Sequence, residues 1–288
     1  MNFGNVLTAM VTPFDSKGNV DYQQTTVLID YLLNNGTEGL VVAGTTGESP
    51  TLTTEEKVNL FRHVVKAADK RVPVIAGTGS NNTSASIALT KEAEACGVDA
   101  VMLVTPYYNK PNQAGLYEHF KDIANATKLP VMLYNIPGRS VVKMSAETII
   151  RLSEIENIVS VKEASGDLDQ IAEVVEQTNE DFSVYSGEDG LTLPMLAVGA
   201  TGVISVASHI IGNEIGEMIQ AFNKGDVKKA ASIHRRVLPI MNGLFMSPSP
   251  VPVKTALQMK GIEAGPVRLP LVPLTQLEQK TLKELIER

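Results

Sequence analysis

The sequence predicts a (β/α)₈ barrel, the TIM-barrel class of α/β fold, carrying a C-terminal helical extension. Three observations carry that expectation. Eight short apolar, β-branched runs alternate with longer amphipathic stretches. The runs are continuously apolar rather than alternating, as parallel strands covered on both faces are. The length of 288 residues suits one large α/β barrel.

The expected strands are Val6–Val11, Gly39–Ala43, Val72–Ala76, Ala100–Val104, Val131–Tyr134, Ile158–Val161, Phe182–Tyr185 and Gly202–Ser205. The helical stretches between and after them are Tyr22–Asn34, Thr54–Ala68, Ser84–Cys96, Gly115–Ala126, Ala146–Leu152, Leu168–Glu176, Leu191–Val198 and Ile215–Phe222. Thr53-Thr54-Glu55-Glu56 reads as a threonine cap followed by first-turn acids. Gly36 and Gly97 stand where helices should end. Residues 1–225 are assigned to the barrel. Residues 226–288 read as three further helices, about Val227–Asn242, Val251–Lys260 and Gln276–Glu287, split by the proline-rich segments Ser247–Pro252 and Pro266–Pro273. An open doubly wound sheet is the competing architecture.

Composition narrows the function classes. A hydrophobic fraction of 43% and a charged fraction of 20% describe an ordinary globular chain. With 25 Lys+Arg against 32 Asp+Glu, the net charge of −7 and the lack of a basic cluster argue against nucleic acid or an anionic membrane. No apolar run reaches the ~18 residues of a membrane span. Met1-Asn2-Phe3-Gly4 carries no charged signal-like start, so a cytoplasmic location is expected. Cys96 is the sole cysteine, which leaves no intrachain disulfide. The histidines His63, His119, His209 and His234 form no HExxH pattern and follow no expected strand, so a metal-dependent aldolase is not expected. Gly77-x-Gly79 lacks the third glycine of a dinucleotide fingerprint.

Barrel chemistry sits at the C-terminal ends of the strands. There the sequence places Gly44-Thr45-Thr46-Gly47-Glu48-Ser49, Tyr107-Tyr108, Tyr134 through Arg139, Lys162-Glu163, Ser186-Gly187-Glu188-Asp189 and Ser205. Lys162 directly follows a buried run. A free lysine has a pKa of ~10.4, and desolvation among apolar walls lowers it and frees the amine as a nucleophile. Pairing with Glu163, or snorkelling to the rim, is the alternative. Tyr134 ends the neighbouring strand, one spacing of ~4.8 Å away. Its phenol can shuttle protons if other hydroxyls hold it, and Thr45, Thr46 and Tyr108 offer them; otherwise it is a core tyrosine. Arg139 can grip a carboxylate in bidentate fashion or serve as a surface loop residue. The glycine-flanked Thr45-Thr46 turn offers N–H groups and hydroxyls to a small anion.

GTTGES at 44–49, TPYYNKP at 105–111, YNIPGR at 134–139 and VKEASGD at 161–167 are together highly specific. On these motifs the chain resembles the dihydrodipicolinate synthase family, within the N-acetylneuraminate lyase superfamily of barrels. The likeness runs from Thr8 to Leu271. It implies a Schiff-base condensation of pyruvate with L-aspartate 4-semialdehyde, the entry to diaminopimelate and lysine, with no cofactor. It implies that Lys162 forms the imine and that Tyr134 donates and accepts protons. Thr45 and Tyr108 would complete a hydroxyl relay, Tyr108 reaching across a subunit interface. Thr46 and the region of Ile204 would hold the pyruvate carboxylate, Gly187 would lie with the substrate-binding residues, and Arg139 would bind the aldehyde's carboxylate. A homo-oligomer, commonly a tetramer, is implied. Two rival readings are a pyruvate aldolase acting on a sugar acid and a non-catalytic small-molecule sensor on the same barrel. Thr54, Lys57 and Ala85 depart from the histidine, histidine and glutamate of lysine-inhibited members, so weak or absent lysine feedback is expected.

Overall fold

The computed structural model describes residues 2–287. Eight parallel strands close into a barrel in sequence order: β1 (Val6–Ala9), β2 (Gly39–Val42), β3 (Val74–Gly77), β4 (Ala100–Val104), β5 (Val131–Asn135), β6 (Ile158–Glu163), β7 (Ser183–Ser186) and β8 (Gly202–Ser205). The connecting helices are α1 (Tyr22–Asn34), α2 (Thr54–Ala68), α3 (Thr83–Ala95), α4 (Gln113–Asn125), the single turn α5 (Pro137–Ser140), α6 (Ala146–Ser153), α7 (Leu168–Gln177), α8 (Thr192–Ala197) and α9 (Ser208–Asn223). The extension supplies α10 (Val227–Gly243), α11 (Val251–Met259) and α12 (Gln276–Ile286). The open-sheet alternative is therefore set aside.

Local chemistry fixes the helix ends. Thr53 accepts from Glu56 N at 3.1 Å while Glu56 Oε2 accepts from Thr53 N at 2.8 Å, so the box satisfies orphan amides at both positions. Asp21, Asn82, Asn112, Ser145 and Asp167 cap α1, α3, α4, α6 and α7 in the same manner, by a side-chain oxygen. Gly36 and Gly97 follow α1 and α3 in the left-handed conformation, at φ +85° and +82°.

Strand alternation makes two separate cores. Leu7, Val41, Ile75, Met102, Met132, Tyr134, Tyr185 and Ile204 point into the barrel. Val6, Leu40, Val42, Leu103, Leu133, Val161 and Val203 point outward into a second, larger cluster shared with the helices. Buried residues of the extension, Val237, Met241, Leu282 and Ile286, belong to that outer cluster. The extension thus packs on the barrel's helix layer, α10 along α9 and α12 against α10 and α11.

The boundaries differ from expectation most at β1, β3, β6 and α9. β1 stops at Ala9 and β3 starts after Pro73, whose carbonyl still accepts from Leu40 N at 2.9 Å although proline itself brings no N–H. β6 runs on to Glu163, which puts Lys162 inside the strand rather than after it. α9 begins at Ser208, seven residues before the expected Ile215, and is kinked at Ile211 (φ −130°, ψ 36°).

Candidate active site

Lys162 pairs in register with Tyr134 on β5 and with Tyr185 on β7. It is only 5% exposed, and its Nζ lies 4.4 Å from the centroid of the Tyr134 ring. Glu163, the next residue, points to the opposite face. Its carboxylate accepts from Asn135 Nδ2 at 2.9 Å, Gln170 Nε2 at 3.2 Å and Ser165 N at 2.8 Å. The period-2 geometry of the strand thus separates the lysine from the acid beside it. Lys162 forms no ion pair among the described residues, which removes both the Glu163 pairing and the snorkelling alternative.

Burial lowers the Lys162 pKa to about 8; the charge of Asp189 opposes that shift and the charge of Arg139 adds to it. Burial likewise pushes Tyr134 up to about 12, against the pull of Arg139 and of a hydrogen bond from Thr45. At neutral pH the amine has a usable neutral fraction and the phenol stays protonated. That combination can attack a carbonyl carbon and hand protons on.

A cavity of about 300 Å³ opens beside Tyr134. Thr45, Tyr134, Arg139, Ser49, Lys57 and Tyr107 are among its lining residues. Arg139 is exposed at the end of α5. The turn is anchored by Ser140, whose hydroxyl donates to Ile136 O at 2.9 Å and accepts from Thr105 Oγ1 at 2.9 Å. Thr46 is buried beside Thr45, and Ile204 is buried in the same inner cluster as Tyr134. Gly187 is a close approach: a Cβ there would stand 2.7 Å from Ala164 Cβ and 3.1 Å from Lys162 Cε. Any side chain would push the lysine. Gly79 is also steric, since its Cβ would stand 2.4 Å from Val104 N, so the Gly77-x-Gly79 pattern serves strand packing.

Tyr108 is not brought to the cluster by its own chain. It is 89% exposed with φ +72°, in a loop held by Asn109 Nδ2 donating to Asn81 O at 2.9 Å. Its neighbour Tyr107 lines the cavity instead.

Sequence reasoning missed Asp189. Its carboxylate is buried and accepts from the Ser205 hydroxyl, Ala207 N at 3.0 Å and Val206 N at 3.2 Å. It stands as the acid whose charge reaches Lys162 without touching it, and burial raises its own pKa. The available signal was an acid at a strand end, but Glu188 beside it carries the same signal and is exposed. Among the described residues no three His, Cys, Asp or Glu side chains gather in metal-ligating reach.

The comparisons agree with this geometry. The sequence profile of the Dihydrodipicolinate synthetase family matches residues 2–288. A 4-hydroxy-tetrahydrodipicolinate synthase of Bacillus velezensis is 64% identical over 286 residues, covering 99% of each chain. A crystal structure of a dihydrodipicolinate synthase from Bacillus anthracis superposes with a TM-score of 0.98 at 63% identity, covering 100% of this chain and 98% of that one. A further one from Cyanidioschyzon merolae, with lysine bound, superposes with a TM-score of 0.97 at 48% identity over 99% of this chain and 97% of that one. The chain belongs to the dihydrodipicolinate synthetase family.

Proposed function

We propose that this protein condenses pyruvate with L-aspartate 4-semialdehyde through an imine on Lys162, the reaction for which its relatives are named. The observation that carries the reading is a buried, unpaired lysine whose Nζ lies 4.4 Å from the ring of a protonated tyrosine. Neutral Lys162 attacks C2 of pyruvate, and the carbinolamine loses water to give a protonated imine. Tyr134, held by Thr45, supplies and recovers the protons. Loss of a C3 proton gives the enamine, whose carbon bonds to the aldehyde carbon. The amino group of the new chain then attacks the imine carbon, closes the ring and frees Lys162.

Arg139 at the cavity wall is assigned to the aldehyde's carboxylate. Thr46, with the Ile204 backbone and Gly187, is assigned to pyruvate. Exposed Tyr108 is assigned to the relay of a neighbouring subunit, which makes a homo-oligomer, a tetramer by family likeness, the working assembly. Residues 226–288 are read as an appendage of the barrel rather than a second fold. No helix among the described residues is long and apolar enough to cross a membrane. The reading places the protein in the cytoplasm.

Borohydride reduction in the presence of pyruvate, followed by peptide mass spectrometry, tests the central step. The expected adduct sits on Lys162. An active enzyme with no adduct there, or a Lys162→Ala variant with full output, overturns the mechanism.

A further inference from the structure

A second buried lysine lies on α11, far in sequence from the motifs. Lys254 Nζ stands 2.7 Å from Glu48 Oε1 with both side chains at most 3% exposed, and it donates to Pro266 O at 2.8 Å. The attraction of opposite charges in a buried setting holds this pair. Glu48 Oε2 accepts from Arg268 N at 2.9 Å. Both cations approach the Phe14 ring, Lys254 Nζ at 4.2 Å and the Arg268 guanidinium carbon at 4.3 Å from its centroid. Arg268 also donates to Gly18 O, Thr51 O and both oxygens of Glu56, the residue that boxes the start of α2.

What this network holds is the turn of the site. Glu48 adopts a left-handed conformation, φ 57° and ψ 37°, which costs a side-chain-bearing residue free energy and needs outside support. Its backbone N–H donates to Thr45 O at 3.1 Å, and the turn is tied a second time by Thr12 Oγ1 donating to Gly47 O at 2.7 Å. Thr45 in turn bonds to Tyr134. A continuous chain of contacts therefore runs from the C-terminal extension to the phenol: Lys254, Glu48, Thr45, Tyr134. A contact of this kind fixes one of two charges only if both are present, because a lone buried carboxylate takes up a proton or swings toward water.

We infer that Lys254 is a positioning residue for the condensation, acting through Glu48 to hold the Thr45 hydroxyl on Tyr134, so that the C-terminal extension is a working part of the active site. The inference rests on the proposed function, since it assigns Thr45 and Tyr134 to proton transfer. Misplacing a relay hydroxyl costs rate rather than fold, and losses of up to about a hundredfold follow from shifts near 1 Å.

The test is a mutant cycle read in turnover. Lys254→Met, and Glu48→Gln combined with Lys254→Met, are each made with Tyr134 intact and with Tyr134→Phe. The double change removes both buried charges and carries the test if the single variant does not fold. The expected result is a native circular-dichroism spectrum with kcat reduced about tenfold or more, together with a Tyr134→Phe penalty much smaller than in the wild type. Unchanged kcat overturns the inference. So does a Tyr134→Phe penalty equal to that in the wild type, because two independent losses add and a purely structural lysine would give that pattern. Borohydride trapping of pyruvate is run alongside. A wild type that traps and turns over beside variants with unchanged kcat sinks this inference alone, whereas an active wild type that fails to trap at Lys162 sinks the proposed function and this inference with it.

Discussion

Replacing Lys162 by methionine should abolish condensation and stabilise the fold. The folded state holds this amine at a pKa of about 8 against its ordinary 10.5. At ~1.36 kcal/mol per unit, the buried ammonium therefore costs about 3 kcal/mol. Below pH 8 both folded and unfolded lysines are protonated, and the folded one bears the whole desolvation cost. Between pH 8 and 10.5 the folded amine is neutral while the unfolded one still binds a proton, so wild-type stability rises with pH. Near pH 10.5 the cost is gone. Methionine matches the aliphatic stem and carries no charge, so the gain of about 3 kcal/mol, roughly 6 °C in Tm for a chain of this size, should appear at pH 7 and fade toward pH 10. Asp189 loses a favourable charge in the variant, but its three hydrogen-bond donors remain. Lys254 also sits near pKa 8 and titrates identically in both proteins, so it cancels in the difference. The assay is thermal unfolding of both proteins at pH 7, 8.5 and 10, at one protein concentration to hold subunit linkage fixed. A variant that is less stable than wild type at pH 7, or a difference independent of pH, would refute a desolvated ammonium at this position.

Other outcomes follow from the same geometry. Gly187→Ala should cost turnover more than pyruvate binding, because the new methyl stands 3.1 Å from Lys162 Cε; wild-type kcat in the purified variant argues against the close approach. Tyr108→Phe should lower kcat while leaving the pyruvate KM near wild type, and mixing it with a Tyr134→Phe variant should restore part of the activity through hybrid subunits; unchanged kcat removes Tyr108 from the relay. L-Lysine at millimolar concentration should leave the rate unchanged, since Lys57 is a partly buried ammonium on the wall shared with Ser49 and Tyr107 and repels a second one; strong inhibition by titrated lysine contradicts that.

The barrel was legible because its strands are covered on both faces. Runs such as Ala100–Val104 have no polar side to blur them, and all eight fall where the apolar runs lie. α9 was legible only in its second half. Its first turn buries Ser208 and His209, and the kink at Ile211 shifts the phase of the apolar face, so no single 3.6-residue period spans both parts. α5 is one turn long and has no period to read. At the site, Lys162 and Tyr134 were visible as strand-end residues, and alternation then determined that Lys162 faces inward and Glu163 outward. Asp189 was invisible beside Glu188, because two adjacent acids look alike until the chain closes over one of them. The tie between Glu48 and Lys254 spans most of the chain and leaves no local pattern at either end.

The two buried lysines show why a weakened hold on the proton does not by itself mark a nucleophile. Burial lowers both to about 8. Lys254, however, is held by the charge of a carboxylate at 2.7 Å and donates to a carbonyl at 2.8 Å, so a departing proton would leave Glu48 charged, buried and without its partner. Lys162 has an aromatic face at 4.4 Å, its nearest influential acid is already held by three donors, and its stem packs against the bare backbone of Gly187. Its proton can leave without stranding a charge, and the Tyr134 phenol beside it lines the cavity. The contrast places reactivity in the partners of an amine rather than in its depth, and it explains how one fold can bury two lysines and assign covalent chemistry to one of them.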